Sequence, residues 1–156
     1  MNSSAAALPA FADVQNAAAR IAPFAHVTPV LHARALDAET GASLHFKAEH
    51  LQRAGAFKFR GACNAVWSLS AAQAACGVVT HSSGNHGAAL ALAAQLRGIA
   101  CHVVVPDGAV AAKVAAISLA RVWQSSRLKL LMVMRTAGCL PGLKGVPLCT
   151  AQPLAA

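Results

Sequence analysis

One stretch of the sequence constrains the fold more than any other. Val78-Val79-Thr80 is a short β-branched run that stops at the polar, glycine-containing turn His81-Ser82-Ser83-Gly84-Asn85-His86-Gly87. An Ala/Leu run follows from Ala88 to Leu96, then Gly98, then a second apolar run from Ile99 to Val105 that stops at Pro106. Glycine is the usual residue just past a helix end. The order is therefore strand, turn, helix, strand, which is a βαβ unit with parallel strands. In such sheets ligands sit at the carboxyl ends of strands, so residues 80–87 mark the turn where chemistry is expected.

The flanking sequence extends the alternation. Asp13 to Ile21 reads as a short helix with an acid at its start, where the helix dipole favours negative charge. Thr28-Pro29 is extended, because a residue before proline avoids the helical region. Leu44 to Glu49 alternates apolar and polar, as a half-buried strand does. Lys58 to Leu69 spaces Phe59, Ala62, Cys63, Val66 and Trp67 as one face of a helix, and Ala109 to Ile117 begins another. The fold class expected is α/β with a parallel sheet over residues 10–117.

Composition excludes several alternatives. Charged residues are 12% of the 156, about half the usual ~25%, and hydrophobic residues are 56%; disordered chains combine the opposite properties. No apolar run reaches the ~18–20 residues of a membrane-spanning helix. The segment MNSSAAALPAFA has no Lys or Arg ahead of its short apolar run, unlike a signal peptide. A cytoplasmic protein is expected. Cys63, Cys76, Cys101, Cys139 and Cys149 are odd in number and lack C-x-x-C spacing, so reduced thiols and no metal site are expected.

The net charge of +8 raises nucleic acid as a partner, but its distribution argues otherwise. Eight of the thirteen basic residues and all five acids fall within residues 1–117. Residues 118–156 carry Arg121, Arg127, Lys129, Arg135 and Lys144 with no acid, and Pro141, Pro147 and Pro153 interrupt them. A poorly ordered basic tail is the expectation there; nucleic-acid binding through that tail is the alternative.

Two motifs carry chemistry. In Gly55-Ala56-Phe57-Lys58-Phe59-Arg60-Gly61 a lysine sits between two phenylalanines at a helix start. Desolvation and the positive helix end both favour an uncharged amine, which Schiff-base formation with an aldehyde requires. On these residues alone a lysine snorkelling from an amphipathic helix is the favoured reading. In the second motif, residues 80–87, small residues free backbone N–H groups to converge on an anion, and Ser82, Ser83 and Asn85 add polar side chains. That motif alone also describes an ordinary capped turn.

Taken together, KAEHLQRAGAFKFRGACNAV, VVTHSSGNHGAALALAAQLRG and HVVVP resemble the pyridoxal-phosphate enzymes of the serine racemase and threonine/serine dehydratase family, of tryptophan-synthase β-like fold. The resemblance runs from about His26 to Ile117. It implies pyridoxal 5'-phosphate as cofactor and a small hydroxy amino acid as substrate, either dehydrated to a keto acid and ammonia or racemised; the sequence leaves both outcomes open. It implies Lys58 as the residue that forms the Schiff base with the cofactor, Phe57 packing beside it and Asn85 bonding its ring hydroxyl. Ser82, Ser83, Asn85 and His86 match the loop that holds the substrate carboxylate, and Ser83 matches the serine that faces the α-carbon opposite the lysine. The resemblance also implies a homo-oligomer, as family members usually are.

By the same resemblance, residues 1–70 begin a large cofactor domain and residues 71–117 a small αβ domain. Residues 118–156 depart from the family: the late glycines Gly138, Gly142 and Gly145 make no phosphate-cradling loop, and the later residue that partners the pyridine nitrogen has no match. The expectation is a truncated form, with a shifted reading frame or alternative end after Ile117, that is weakly active or a non-catalytic fragment.

Overall fold

The computed structural model describes residues 8–82, 84–106 and 128–133. Helix α1 (Phe11–Ile21) starts where the Ala10 N–H donates to the Asp13 carboxylate at 2.8 Å, so Asp13 satisfies an end that would otherwise lack an acceptor. Strand β1 (Val30–Leu31), helix α2 (Arg34–Thr40) and strand β2 (Phe46–Lys47) follow. The two strands form an antiparallel ladder, Val30 opposite Lys47 and Leu31 opposite Phe46, with all four residues exposed. The strand expected over Leu44–Glu49 is therefore shorter. Ala48 leaves the ladder for a buried position and Glu49 begins a 3-10 turn, Glu49–Leu51.

A second 3-10 turn, Arg53–Gly55, leads into α3 (Lys58–Ser68). Phe59, Ala62, Cys63 and Val66 are buried on one helix face, the i, i+3, i+4, i+7 stripe of an amphipathic helix. Trp67 packs at the core's edge against Phe24, ring centroids 4.0 Å apart. Helix α4 (Ala71–Ala75) opens on a reciprocal cap: the Ser70 N–H donates to the Gln73 side-chain oxygen and the Gln73 N–H to the Ser70 hydroxyl.

Strand β3 (Val78–His81), helix α5 (Asn85–Arg97) and strand β4 (Cys101–Pro106) form the expected βαβ unit. The strands pair in parallel, Val78 opposite Cys101 through His81 opposite Val104. Val78, Val79 and Thr80 are all buried, as strands with both faces covered are. Helix α5 lies between α3 and the sheet. Its buried residues are Gly87, Ala89, Leu90, Ala91, Ala93 and Ala94, and all but Leu90 are small, which lets it approach its neighbours closely. Gly98, left-handed at φ 72, ends it.

Strand β5 (Leu128–Val133) adds a third parallel strand, Cys101 opposite Leu128 through Pro106 opposite Val133, in the sheet order β3-β4-β5. This segment falls within the stretch read from sequence as a poorly ordered tail. Its apolar run, LKLLMV, suits a strand whose backbone pairs with β4. The rest of residues 118–156, and the helix expected over Ala109–Ile117, lie outside the described residues. The core draws on Ile21, Phe59, Val66, Val78, Leu90, Val103 and Val105, from both sides of the 70/71 boundary drawn from sequence.

Candidate active site

Lys58 is the first residue of α3 and Asn85 the first of α5. The two helices pack against each other, and their direction follows from one side chain. Arg97, the last residue of α5, donates to the carbonyls of Val66 and Leu69 at the end of α3. The carboxyl ends therefore lie together. With lengths of 11 and 13 residues at ~1.5 Å per residue, the amino ends lie together too. The turn Arg53–Gly55, just ahead of Lys58, packs on α5 as this arrangement requires. Two positive helix ends thus face the same region, at the carboxyl end of β3.

Lys58 is partly buried, and its amine stands 4.8 Å from the Phe57 ring centroid. It makes no hydrogen bond or ion pair among the described residues. No acid among the described residues pairs with it. Of the two phenylalanines flanking it, only Phe57 shares its surroundings. Phe57 is 58% exposed, whereas Phe59 is fully buried in the core.

Strand β3 runs into the loop through a further ladder bond, from the Ser82 N–H to the Val104 carbonyl at 3.0 Å. The Ser82 hydroxyl oxygen accepts from the N–H groups of Gly84 and Gly87, at 3.2 and 3.0 Å. Ser82 is therefore turned into its own loop as a cap for α5, which sequence reading treated as a ligand position. Its hydroxyl proton remains available to a ligand. Asn85 is exposed and its side-chain amide bonds no described residue. His86 is partly buried on the first turn of α5. Ser83, expected to face the α-carbon, lies outside the described residues.

Behind Lys58 lies a polar network that sequence reading missed. Arg60 grips the Glu49 carboxylate with two parallel hydrogen bonds of 2.8 and 2.7 Å. The hydrogen bond from Arg60 chiefly holds the Glu49 carboxyl down at about 2, aided by Thr28 and Lys47 against the cost of burial. The E-x10-R spacing, with both residues inside the motif stretch, was its only signal in the sequence.

The chain matches the family model described as pyridoxal-phosphate dependent enzyme over residues 21–121. It belongs to that family. Its relatives include a serine racemase of Arabidopsis thaliana, 60% identical over 101 residues, which are 65% of this chain and 30% of the relative. An L-threo-3-hydroxyaspartate ammonia-lyase of a Pseudomonas species is 52% identical over 109 residues, 70% of this chain and 34% of that protein. Among solved structures, maize serine racemase superposes with a TM-score of 0.70 at 46% identity, covering 78% of this chain and 36% of its own. The chain thus spans about a third of the length of the curated relatives it matches. The fold is the tryptophan-synthase β-like α/β fold of these enzymes.

The donor set fits the reactive end of the family's cofactor, pyridoxal 5'-phosphate. The Lys58 amine, which bonds no described residue, would be the group to take up the aldehyde; the Phe57 ring stands beside it, and the Asn85 amide, also without a bond to any described residue, lies at the same end of the helix pair. No helix among the described residues is long and apolar enough to cross a membrane.

Proposed function

We propose that this chain carries the lysine-bearing part of a pyridoxal-phosphate enzyme acting on a small hydroxy amino acid, by dehydration or racemisation. The observation that carries the reading is the parallel packing of α3 and α5, with Lys58 and Asn85 at the same end of the helix pair. The names of the relatives support the substrate class: a serine racemase and a hydroxyaspartate ammonia-lyase both act on amino acids with a β-hydroxyl.

In this reading Lys58 bonds the cofactor aldehyde, Phe57 packs beside the ring and Asn85 donates to the ring hydroxyl. When bound, the cofactor supplies an electron sink that makes the substrate α-proton removable. Lys58, released from its bond by the incoming substrate, accepts that proton on one face. The substrate carboxylate sits at the start of α5, where Ser82 offers its O–H, Asn85 its amide and His86 the adjacent position, with Ser83 completing the loop. The helix end favours the negative charge. Loss of the β-hydroxyl as water, then hydrolysis, gives a keto acid and ammonia. A proton returned by Ser83 on the opposite face gives the mirror-image amino acid instead. Homo-oligomers, a cytoplasmic location and the division into a large domain (1–70) and a small one (71–117) belong to the same reading.

The test is to add pyridoxal phosphate, reduce with borohydride and map the labelled peptide. Selective labelling of Lys58, abolished by Lys58→Ala, is expected. Labelling of Lys47 or Lys113 as readily as Lys58 would show that no organised site exists. Keto acid released from serine or threonine separates turnover from binding, and a chiral assay of recovered serine separates dehydration from racemisation.

A further inference from the structure

Residues 49–57 contain no long element. Two 3-10 turns on either side of Gln52 fill most of the segment, and the second ends on two successive left-handed residues, Ala54 at φ 59 and Gly55 at φ 66, just before α3. A left-handed conformation is costly for alanine and persists only where its surroundings impose it. Without a tie, the chain entering α3 could twist at its first residues, and the Lys58 amine with it.

The tie is present. Arg60 donates from Nε to Glu49 Oε2 and from Nη2 to Oε1. Nη2 also reaches the His26 carbonyl at 3.2 Å and the Thr28 hydroxyl oxygen at 3.3 Å. The Thr28 hydroxyl donates to Glu49 Oε1 at 2.5 Å. Lys47 Nζ stands 3.6 Å from the same oxygen and donates to the carbonyl and hydroxyl oxygens of Thr28. Gln52, buried, accepts from the N–H groups of His26 and Arg53 and donates to the His26 carbonyl, each at 2.9 Å. Both ends of the irregular segment are therefore fastened to residues 26–28.

We propose that Glu49 and Arg60 are positioning residues for Lys58, clamping the first turn of α3 so that the amine is held at the α5 amino end. The inference rests on Lys58 as the cofactor-bonding residue. Residues two apart on a helix project about 200° apart around its axis, so Arg60 grips one side of the turn while Lys58 leaves from nearly the other. A forked guanidinium–carboxylate contact fixes rotation as well as distance, which a single charge does not. The pair is only partly open to solvent, with 19% of the Glu49 side chain and 33% of the Arg60 side chain exposed, and it makes no hydrogen bond to Lys58 or to the described residues of the α5 loop. It acts through geometry alone.

The experiment uses the full chain with pyridoxal phosphate, timed borohydride reduction and peptide mapping, with the other lysines as internal references. In R60Q and E49Q, labelling of Lys58 is expected to slow about tenfold, as small displacements of a reacting group do, while Lys113, Lys129 and Lys144 keep their rates. General unfolding would instead level all lysines. Should either variant fail to fold by circular dichroism, T28V deletes only the hydroxyl that orients Glu49, and a slowing confined to Lys58 is expected there too. Folded variants in which Lys58 reacts at the wild-type rate would overturn the proposal. A wild-type chain without preference for Lys58 would instead overturn the assignment of Lys58 itself, and the positioning role with it.

Discussion

The guanidinium of Arg97 donates to the backbone carbonyl of Val66, and its second arm reaches Leu69 at 2.9 Å. The last carbonyls of a helix lack partners within it and carry the negative end of its dipole. One side chain from α5 thus caps α3 and sets the two helices in register. Hydrogen bonds to charged groups contribute about 1.5–3 kcal/mol each, and two on one side chain are not additive. Arg97→Met is expected to lower the free energy of urea unfolding by about 2 kcal/mol. Arg97→Lys, which reaches only one carbonyl at a time, is expected to recover part of that loss.

Gly77 has φ 78, and a Cβ there would stand 2.6 Å from the Ala100 carbonyl oxygen. Gly41 shares the left-handed conformation at φ 66 but has open space around it. Alanine at either position meets backbone strain of about 1–2 kcal/mol. At Gly77 it also forces apart β3 and the start of β4, where the Val78 N–H bonds the Ala100 carbonyl. Thermal melts should show Gly77→Ala well below Gly41→Ala. Equal melting temperatures would show that the backbone there yields freely.

How much of this was legible in the sequence depends on whether the cause was local. The βαβ unit was legible because β-branched runs, an Ala/Leu helix and Gly98 each act through near neighbours. The Ser70-x-x-Gln73 cap of α4 was also written locally, yet the five-residue helix is too short to show periodicity and went unread. Helix α2, ending at left-handed Gly41, passed unnoticed for the same reason. What the sequence could not show was long-range. That Ser82 spends its hydroxyl oxygen on Gly84 and Gly87, that Phe59 turns into the core while Phe57 does not, and that Arg60 faces Glu49 are consequences of packing. The strand Leu128–Val133 went unread because its short apolar run sits in an acid-free stretch without the turn, helix and glycine pattern that marks β3 and β4.

Glu49 gives the chain an acid-sensitive component. Its carboxyl lies at about 2 in the folded chain against an ordinary value of 4.5, chiefly through the hydrogen bond from Arg60. The unfolded chain therefore binds this proton more readily than the folded one, so stability rises with pH across the interval. The contribution is complete above pH 4.5 and is lost as pH falls toward 2. Urea midpoints measured between these limits should fall more steeply for the wild type than for Glu49→Gln. Parallel slopes would mean that other carboxylates carry the acid response.

The three described cysteines should separate by reactivity. Burial pushes the Cys63 thiol up to about 11, with the charge of Arg53 opposing, and Cys101 is likewise buried, while Cys76 is exposed. The thiolate is the reactive form. Iodoacetamide at neutral pH is expected to modify Cys76 first, and Cys63 and Cys101 only once the chain unfolds. Peptide mapping of the alkylated protein over time checks the order, and early modification of Cys63 would mean that α3 opens readily.

Ser82 offers a way to separate building the loop from binding at it. Its hydroxyl oxygen accepts from Gly84 and Gly87, so it satisfies two donors at the start of α5 before any ligand arrives. Losing a helix cap of this kind costs about 0.5–2 kcal/mol. Ser82→Ala should therefore destabilise the ligand-free chain by that amount, whereas Asn85→Ala, whose amide bonds no described residue, should leave it nearly unchanged. With pyridoxal phosphate and borohydride the order should invert in kind: Asn85→Ala weakens cofactor capture without touching stability, and Ser82→Ala weakens it in proportion to the loosened loop. Ser82→Thr retains the hydroxyl and should restore both readouts toward wild type. A ligand-free Ser82→Ala chain as stable as wild type would show that the two hydrogen bonds do not organise the loop, leaving ligand contact as the role for this hydroxyl.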